Sequence, residues 1–229
     1  MRHGRKSKSK TINGFKKHVA VDLDEGLFLA ATARPANERE HAAELELRRD
    51  VERLGKVSEL HADRGYLPGS WLPELHREGK SAVSKPWMTS SARFAKADFT
   101  FDFERNEVQC AAGQTTAIRE RPSGRAASFL GKICCDCPLH DDCLPAGKRQ
   151  GRQINLHPNE EFLQHLRGLT RTPEGRALQR QRVTVEHRLA HHCRRQGARA
   201  RYIGVRKNTF DCRRIAAVEN LHVIDRLAA

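Results

Sequence analysis

The run Glu59-Leu60-His61-Ala62-Asp63-Arg64-Gly65-Tyr66 decides how this chain is read. Residues 57–62 have the composition of a short strand; Asp63 ends it and Gly65 breaks the extended backbone just beyond. Downstream, Pro68 opens a helix to about residue 77, and residues 81–84 form another short strand before Pro86. Upstream, residues 18–22 and 27–33 are apolar runs joined by Leu23-Asp24-Glu25-Gly26, the signature of a β-hairpin. Asn37 then caps a predicted helix to about Leu54, with Ala43, Leu47, Val51 and Leu54 on its apolar face. Strands alternating with helices predict an α/β fold.

Beyond Pro86 the periodicity fades, and residues 86–158, rich in Gly, Pro, Cys and mixed charge, read as an insertion. Helical character returns at 159–169 and again from Pro173, a first-turn proline, to about Gly197. In this longer helix Leu178, Val185, Leu189 and His192 share one face, with Arg182 and Glu186 on an adjoining one. A last helix, about 209–227, carries Ile215, Val218, Leu221 and Ile224. The expected organisation is a basic segment (1–17), a first core part (18–85), the cysteine-bearing insertion (86–158) and a helical second core part (159–229).

The net charge of +14 points to a polyanionic partner, and nucleic acid is the leading one. The charge sits at the ends: residues 1–17 hold seven Lys or Arg and no acid, and 171–229 hold fourteen against five. Nothing approaches the roughly 20 apolar residues of a membrane span, and the basic start lacks the apolar run of a signal peptide, so a cytoplasmic location is expected.

A carboxylate at a strand end and another on a neighbouring helix suit a divalent cation at a cleft edge, since Mg²⁺ takes oxygen ligands from one or two carboxylates plus substrate phosphate. Asp63 and Glu186 fit that plan. An Asp after a strand is also a common turn former, and a Glu four residues from Arg182 a common solvated ion pair.

Resemblance goes further than spacing. The string His61-Ala62-Asp63-Arg64-Gly65-Tyr66 resembles the second-aspartate motif of bacterial insertion-sequence transposases of the DDE type, which have a ribonuclease-H-like core. Arg182-Val183-Thr184-Val185-Glu186-His187 resembles their glutamate helix. Further matches are the basic entry at residues 2–10, Pro35-Ala36-Asn37, Lys85-Pro86-Trp87 and Arg199-Ala200-Arg201-Tyr202-Ile203-Gly204-Val205-Arg206-Lys207-Asn208. The resemblance implies DNA transposition by metal-dependent phosphoryl transfer, with Mg²⁺ or Mn²⁺ held by three carboxylates. Asp63 takes the second-aspartate role, Glu186 the glutamate role, and Arg182 the arginine one turn earlier. Gln179 stands where many members have tyrosine, and Cys193 where they have lysine, although Arg194 and Arg195 offer phosphate contacts instead. The family's first aspartate lies on a strand upstream of the basic entry, so nothing here matches it. The expectation is a ribonuclease-H-like sheet without its first strand, in an N-terminally truncated chain inactive alone. Asp22 is the one strand-borne substitute, and it has a simpler reading as a flank of the Asp24-Glu25-Gly26 turn.

Seven cysteines include Cys134 and Cys137, whose two-residue gap suits a shared tetrahedral Zn²⁺, with Cys143 five residues on and Cys110 upstream. The other reading is free or buried thiols, and the adjacent Cys135 favours it. Similar transposases carry a comparable cysteine-bearing insertion, which implies a structural Zn²⁺ on Cys110, Cys134, Cys137 and Cys143 in place of a core the insertion lacks. Arg194, Arg195, Arg199, Arg201, Arg206 and Lys207, after the glutamate helix, suit a DNA backbone track. Two functions are carried forward: a transposase catalytic-domain fragment, and a non-enzymatic zinc-containing DNA-binding module. Either would act as a homodimer or as a mixed dimer with an intact transposase.

Overall fold

The computed structural model describes residues 3–5, 11–87, 93–197 and 199–228. Arg2, Lys6, Lys8 and Lys10 of the expected basic entry lie outside the described residues. The chain divides into two units of mixed α and β structure, Met1–Lys85 with Pro173–Ala229, and Pro86–Thr172.

The first unit begins with a small antiparallel pair, β1 (His3–Arg5) and β2 (Thr11–Asn13). The expected hairpin follows as β3 (Phe15–Val21) and β4 (Phe28–Pro35). Its turn needs Gly26 at φ +73°, a left-handed conformation that side chains resist. Asp22 serves this turn: its carboxylate accepts from the Asp24 N–H at 3.0 Å, and its carbonyl accepts from the Gly26 N–H at 3.0 Å. The next helix starts later than expected, as a short 3₁₀ turn at Glu40–Ala43 leading into α1 (Glu44–Glu52). Asn37 therefore caps nothing; Arg39 precedes the first turn. Leu47 and Val51 are buried as predicted.

Strand β5 (Glu59–Ala62) ends at Asp63 and runs parallel to β6 (Ser81–Ser84). The connecting helix α2 (Trp71–Arg77) begins three residues after Pro68, because the Glu44 carboxylate accepts from the Ser70 and Trp71 N–H groups and fixes the start there.

The second unit is more ordered than its composition suggests. Strands β7 (Thr100–Asp102), β8 (Glu107–Gln109), β9 (Thr115–Arg121), β10 (Gly124–Ser128) and β11 (Gln153–Asn155) form an antiparallel five-stranded sheet in sequential order. Phe99, Val108, Ile118, Ala127, Phe129, Ile154 and Leu156 make a buried core. The expectation of an insertion without a core is thus corrected. Three of its strands are only three residues long and bury at most one apolar side chain each, too few for an alternating pattern to register. Short helices α3 (Gly131–Cys135) and α4 (His140–Cys143) carry the cysteines, and α5 (Glu160–Arg171) falls in this unit rather than in the returning core.

Back in the first unit, α6 (Pro173–Gln181) starts on its proline, as predicted, and α7 (Val183–Gln196) follows after a one-residue irregularity at Arg182. Helix α8 (Val205–Ala228) lies along β4. Its buried face is only partly the expected one: Ile215 is buried and Val218 half-buried, but Leu221 and Ile224 are exposed, and Asn208, Asp211, Cys212, Ala216, Glu219 and Val223 face inward. The polar members of that face are satisfied there. Asn220, at its margin, exchanges two hydrogen bonds with the Phe28 backbone (2.7 and 2.9 Å), Thr209 accepts from the Ala33 N–H, and Arg213 donates to the Ala31 carbonyl. The Gln196 side chain donates to Asp211 at 2.8 Å.

Candidate functional site

Asp63 and Glu186 meet on one guanidinium. Arg182 Nη1 lies 2.9 Å from an Asp63 oxygen, and Nη2 lies 3.3 Å from Glu186 Oε1. Both carboxylates are about two-thirds exposed and so reachable from solvent. Each is placed by its element. Asp63 caps the turn after β5, accepting the Arg64 N–H at 2.7 Å. Glu186 sits in the first turn of α7, where the helix dipole favours an anion. A Cβ at Gly65 would fall 1.5 Å from Glu40 Oε2, so a side chain there would have to displace the Glu40 carboxylate of the 3₁₀ segment.

Residues that the sequence did not single out support this corner. His18 on β3 is buried, and its Nδ1 lies 2.6 Å from the Tyr66 hydroxyl. Burial first, then the nearby Lys16 and Arg34 charges, lower the His18 pKa from 6.5 to about 4. Burial, followed by the Glu40, Asp63 and Glu44 charges, raises that of Tyr66, so the phenol keeps its proton beside a neutral imidazole. Because the folded imidazole has the lower pKa, the unfolded chain takes up the proton first, and stability falls as pH drops from 6.5 towards 4. At about 1.4 kcal/mol per pH unit, roughly 3 kcal/mol should disappear across that window. Urea titrations at several pH values should show this slope, and His18→Gln should flatten it.

The position expected to hold the family's lysine has a cation nearby on a strand. Cys193 replaces the lysine, but Lys17 on β3 brings its Nζ to 3.7 Å from Cys193 Sγ. Of the proposed DNA contacts, Arg194, Arg199, Arg201, Arg206 and Lys207 are exposed. Arg195, also exposed, donates to the buried Glu219 at 2.5 Å, and Arg188 lies 3.7 Å from the same carboxylate. Burial raises the Glu219 pKa, but the Arg195 hydrogen bond and the two cations outweigh it, leaving the group below its ordinary value. Cys212 is fully buried, and its thiol is pushed up to about 12, chiefly by burial.

In the second unit Cys110, Cys134, Cys137 and Cys143 line one small cavity of about 30 Å³, together with His140. Burial raises the Cys143 pKa; Arg152 opposes this, and Cys134, Cys110 and Cys137 add to it. Arg152 ties this region together by donating to the Cys143 and Phe94 carbonyls at 3.1 and 2.8 Å. Cys135 is exposed, its Sγ 3.6 Å from the Arg149 carbonyl. No group of three or more His, Cys, Asp or Glu side chains is arranged to hold a metal ion among the described residues. The four expected zinc ligands line one cavity without forming such a group.

An exposed carboxylate pair on an α/β domain, with basic residues beyond the second acid, defines a candidate site for chemistry on a polyanion. The transposase DDE domain family matches residues 109–224, just over half of the chain, and the chain belongs to that family. The match contains Arg182, Glu186 and the four clustered cysteines, while Asp63 precedes it. No curated protein and no solved structure matches the chain. No helix among the described residues is long and apolar enough to cross a membrane.

Proposed function

We propose that this chain is the catalytic-domain portion of a DDE transposase, serving transposition of a bacterial insertion sequence by metal-dependent strand cleavage and strand transfer. The observation that carries this reading is the convergence of Asp63 and Glu186 on Arg182 in a member of the family. The two exposed carboxylates are hard oxygen donors that fit Mg²⁺ or Mn²⁺, and such an ion supplies Lewis-acid stabilisation of phosphoryl oxygens. Arg182 holds the pair together, Lys17 offers an ammonium at the place of Cys193, and Arg194, Arg199, Arg201, Arg206 and Lys207 position a DNA backbone. The fold is read as ribonuclease-H-like, with the second unit as its cysteine-bearing insertion. Asp63 and Glu186 are two of the three carboxylates such a site uses, and these two alone do not complete it. The exposed Leu221, Ile224 and Leu227 of α8 suit contact with a second copy or an intact transposase.

Duplex binding should tolerate sequence and weaken steeply with salt. Replacing Arg194, Arg199 and Arg201 by Ala should flatten the log–log salt slope by nearly one per lost phosphate contact, measured by fluorescence anisotropy. Unchanged binding would shift the contact to the Lys-rich start. Arg195→Ala should also lower stability, since it removes the shorter of the two cation contacts to Glu219 and leaves Arg188 at 3.7 Å.

A second reading, a zinc-containing DNA-binding module, is favoured by the cysteine cavity. Purified protein should carry one zinc per chain, and chelation should free the four thiols. The sheet of the second unit should survive chelation because it has its own core. Absence of zinc with all thiols reactive would remove the metal from either reading.

A further inference from the structure

Between α7 and α8 the chain turns through Arg199-Ala200-Arg201-Tyr202-Ile203-Gly204 and presents an apolar tip to solvent. Ile203 is 97% exposed, more than any other large apolar side chain among the described residues, and Tyr202 beside it is 44% exposed. A single exposed apolar residue is ordinary on a protein surface. What sets this one apart is how its backbone is held and which charges flank it.

The turn stands on a fixed frame. Asn208, buried in the first turn of α8, donates through its side-chain nitrogen to the Tyr202 and Gly204 carbonyls at 2.7 Å each, so one amide clamps the backbone on both sides of Ile203. Gly204, at φ +90°, closes the turn in a conformation that side chains resist. At its base the two helices are tied by Gln196 to Asp211 and by His192 to the Cys212 carbonyl. Ile203 is therefore held out in water, where a pliable tip would fold back onto the surface. Arg199, Arg201, Arg206 and Lys207 flank it in the chain, all exposed and none ion-paired among the described residues. The field of Asp211 reaches Arg201, but that carboxylate is buried and already accepts from Gln196 and Arg214.

We propose that Ile203 is a wedge that enters a base step of duplex DNA from the minor groove, unstacking and bending it, while the flanking cations hold the phosphates on either side. Isoleucine is among the apolar side chains that serve this way, and such wedges kink a duplex by roughly 20–90° at steps that unstack easily, TA and CA/TG above all. An anionic membrane surface is a poorer match, because one isoleucine is too little apolar surface to anchor a chain, whereas a base step admits little more than one side chain. A second copy is a poorer match as well, since the cations of the two tips would meet. The inference rests on the reading of this surface as a DNA track, and adds to it a preference for deformable steps.

The test uses the full 229-residue chain and a short duplex with one TA step, 2-aminopurine beside that step and a fluorophore pair at the duplex ends. Binding should raise the 2-aminopurine emission and bring the ends together by a bend of at least about 20°. A mismatch at the step should tighten binding roughly tenfold, because a mismatched base is easier to unstack. Ile203→Ser should still bind with an unchanged salt slope, yet show no emission rise, no bend and no mismatch preference; Ile203→Leu should keep all three. Binding by the unaltered chain without these signals, or their persistence in Ile203→Ser, would overturn the wedge and leave the DNA track standing. Absence of duplex binding by the unaltered chain would overturn both. Dissociation of a dimer by Ile203→Ser, or loss of binding to phosphatidylserine vesicles in that variant alone, would overturn the wedge in favour of a second copy or a lipid surface.

Discussion

Mixed with duplex DNA and Mg²⁺ or Mn²⁺, the 229-residue chain is expected to bind without cutting. The reason is the number of oxygen donors. Asp63 and Glu186 share Arg182, and no third His, Cys, Asp or Glu joins them among the described residues. A clamp on both the attacking and the leaving oxygen takes two ions, and two exposed carboxylates are too few for that. Fusing ahead of Met1 a strand that bears an aspartate should yield strand nicking, read as conversion of supercoiled to open-circular plasmid. In that fusion Asp63→Ala or Glu186→Ala should slow nicking by at least about 10³-fold, the scale of losing a preorganised charge-stabilising group. Nicking by the unaltered chain that Asp22→Ala stops would make Asp22 the third carboxylate. The Asx contact that ties Asp22 into the hairpin turn argues against that outcome.

The largest stability effect should come from Glu160, which is 1% exposed at the start of α5. Its oxygens accept from Arg167 and Lys96 at 2.6 Å each, from the His157 N–H at 2.9 Å and from Gln164 at 3.2 Å. Burial raises its pKa, but the His157 N–H, Lys96 and Arg167 outweigh that, and the carboxyl titrates below its ordinary value. A depressed carboxylate pKa gives stability that is present at neutral pH and lost as pH falls through the folded-state value. Glu160→Ala leaves Arg167 buried without its partner, which should cost about 3–5 kcal/mol in the second unit. Thermal melts of the full chain should show one transition moving down and the other holding. A loss below about 1 kcal/mol would mean that Arg167 finds water or another acceptor.

Local chemistry made several elements readable: Gly26 at a hairpin turn, Pro173 at a helix start, and Ser81–Ser84 ahead of Pro86 as a strand. Asp63 and Glu186 were readable through their motifs, and the structure brings them onto one arginine. What stayed hidden depends on pairs far apart in the chain. The His18–Tyr66 contact spans 48 residues, and Lys17 to Cys193 spans 176. Neither residue of either pair carries a local signal of its partner. The α8 face was misassigned because Asn208, Asp211 and Glu219 look solvent-facing by type, yet each is buried against a named partner. The second unit's core was missed because its strands are too short to show a period.

The hydrogen bonds between Phe28 and Asn220, 192 residues apart, also set a timetable for the ribosome. At roughly 5–20 residues per second, β4 emerges about 10 to 40 s before the helix that closes its outer edge. Through that interval the hairpin waits with its apolar alanines and backbone exposed, while residues 86–172 have everything needed to fold. The nascent chain should therefore carry a finished second unit and an open first one. A trigger-factor-type chaperone would hold the hairpin longest, and pausing translation near residue 172 should leave Ala30, Ala31 and Ala33 accessible to protease.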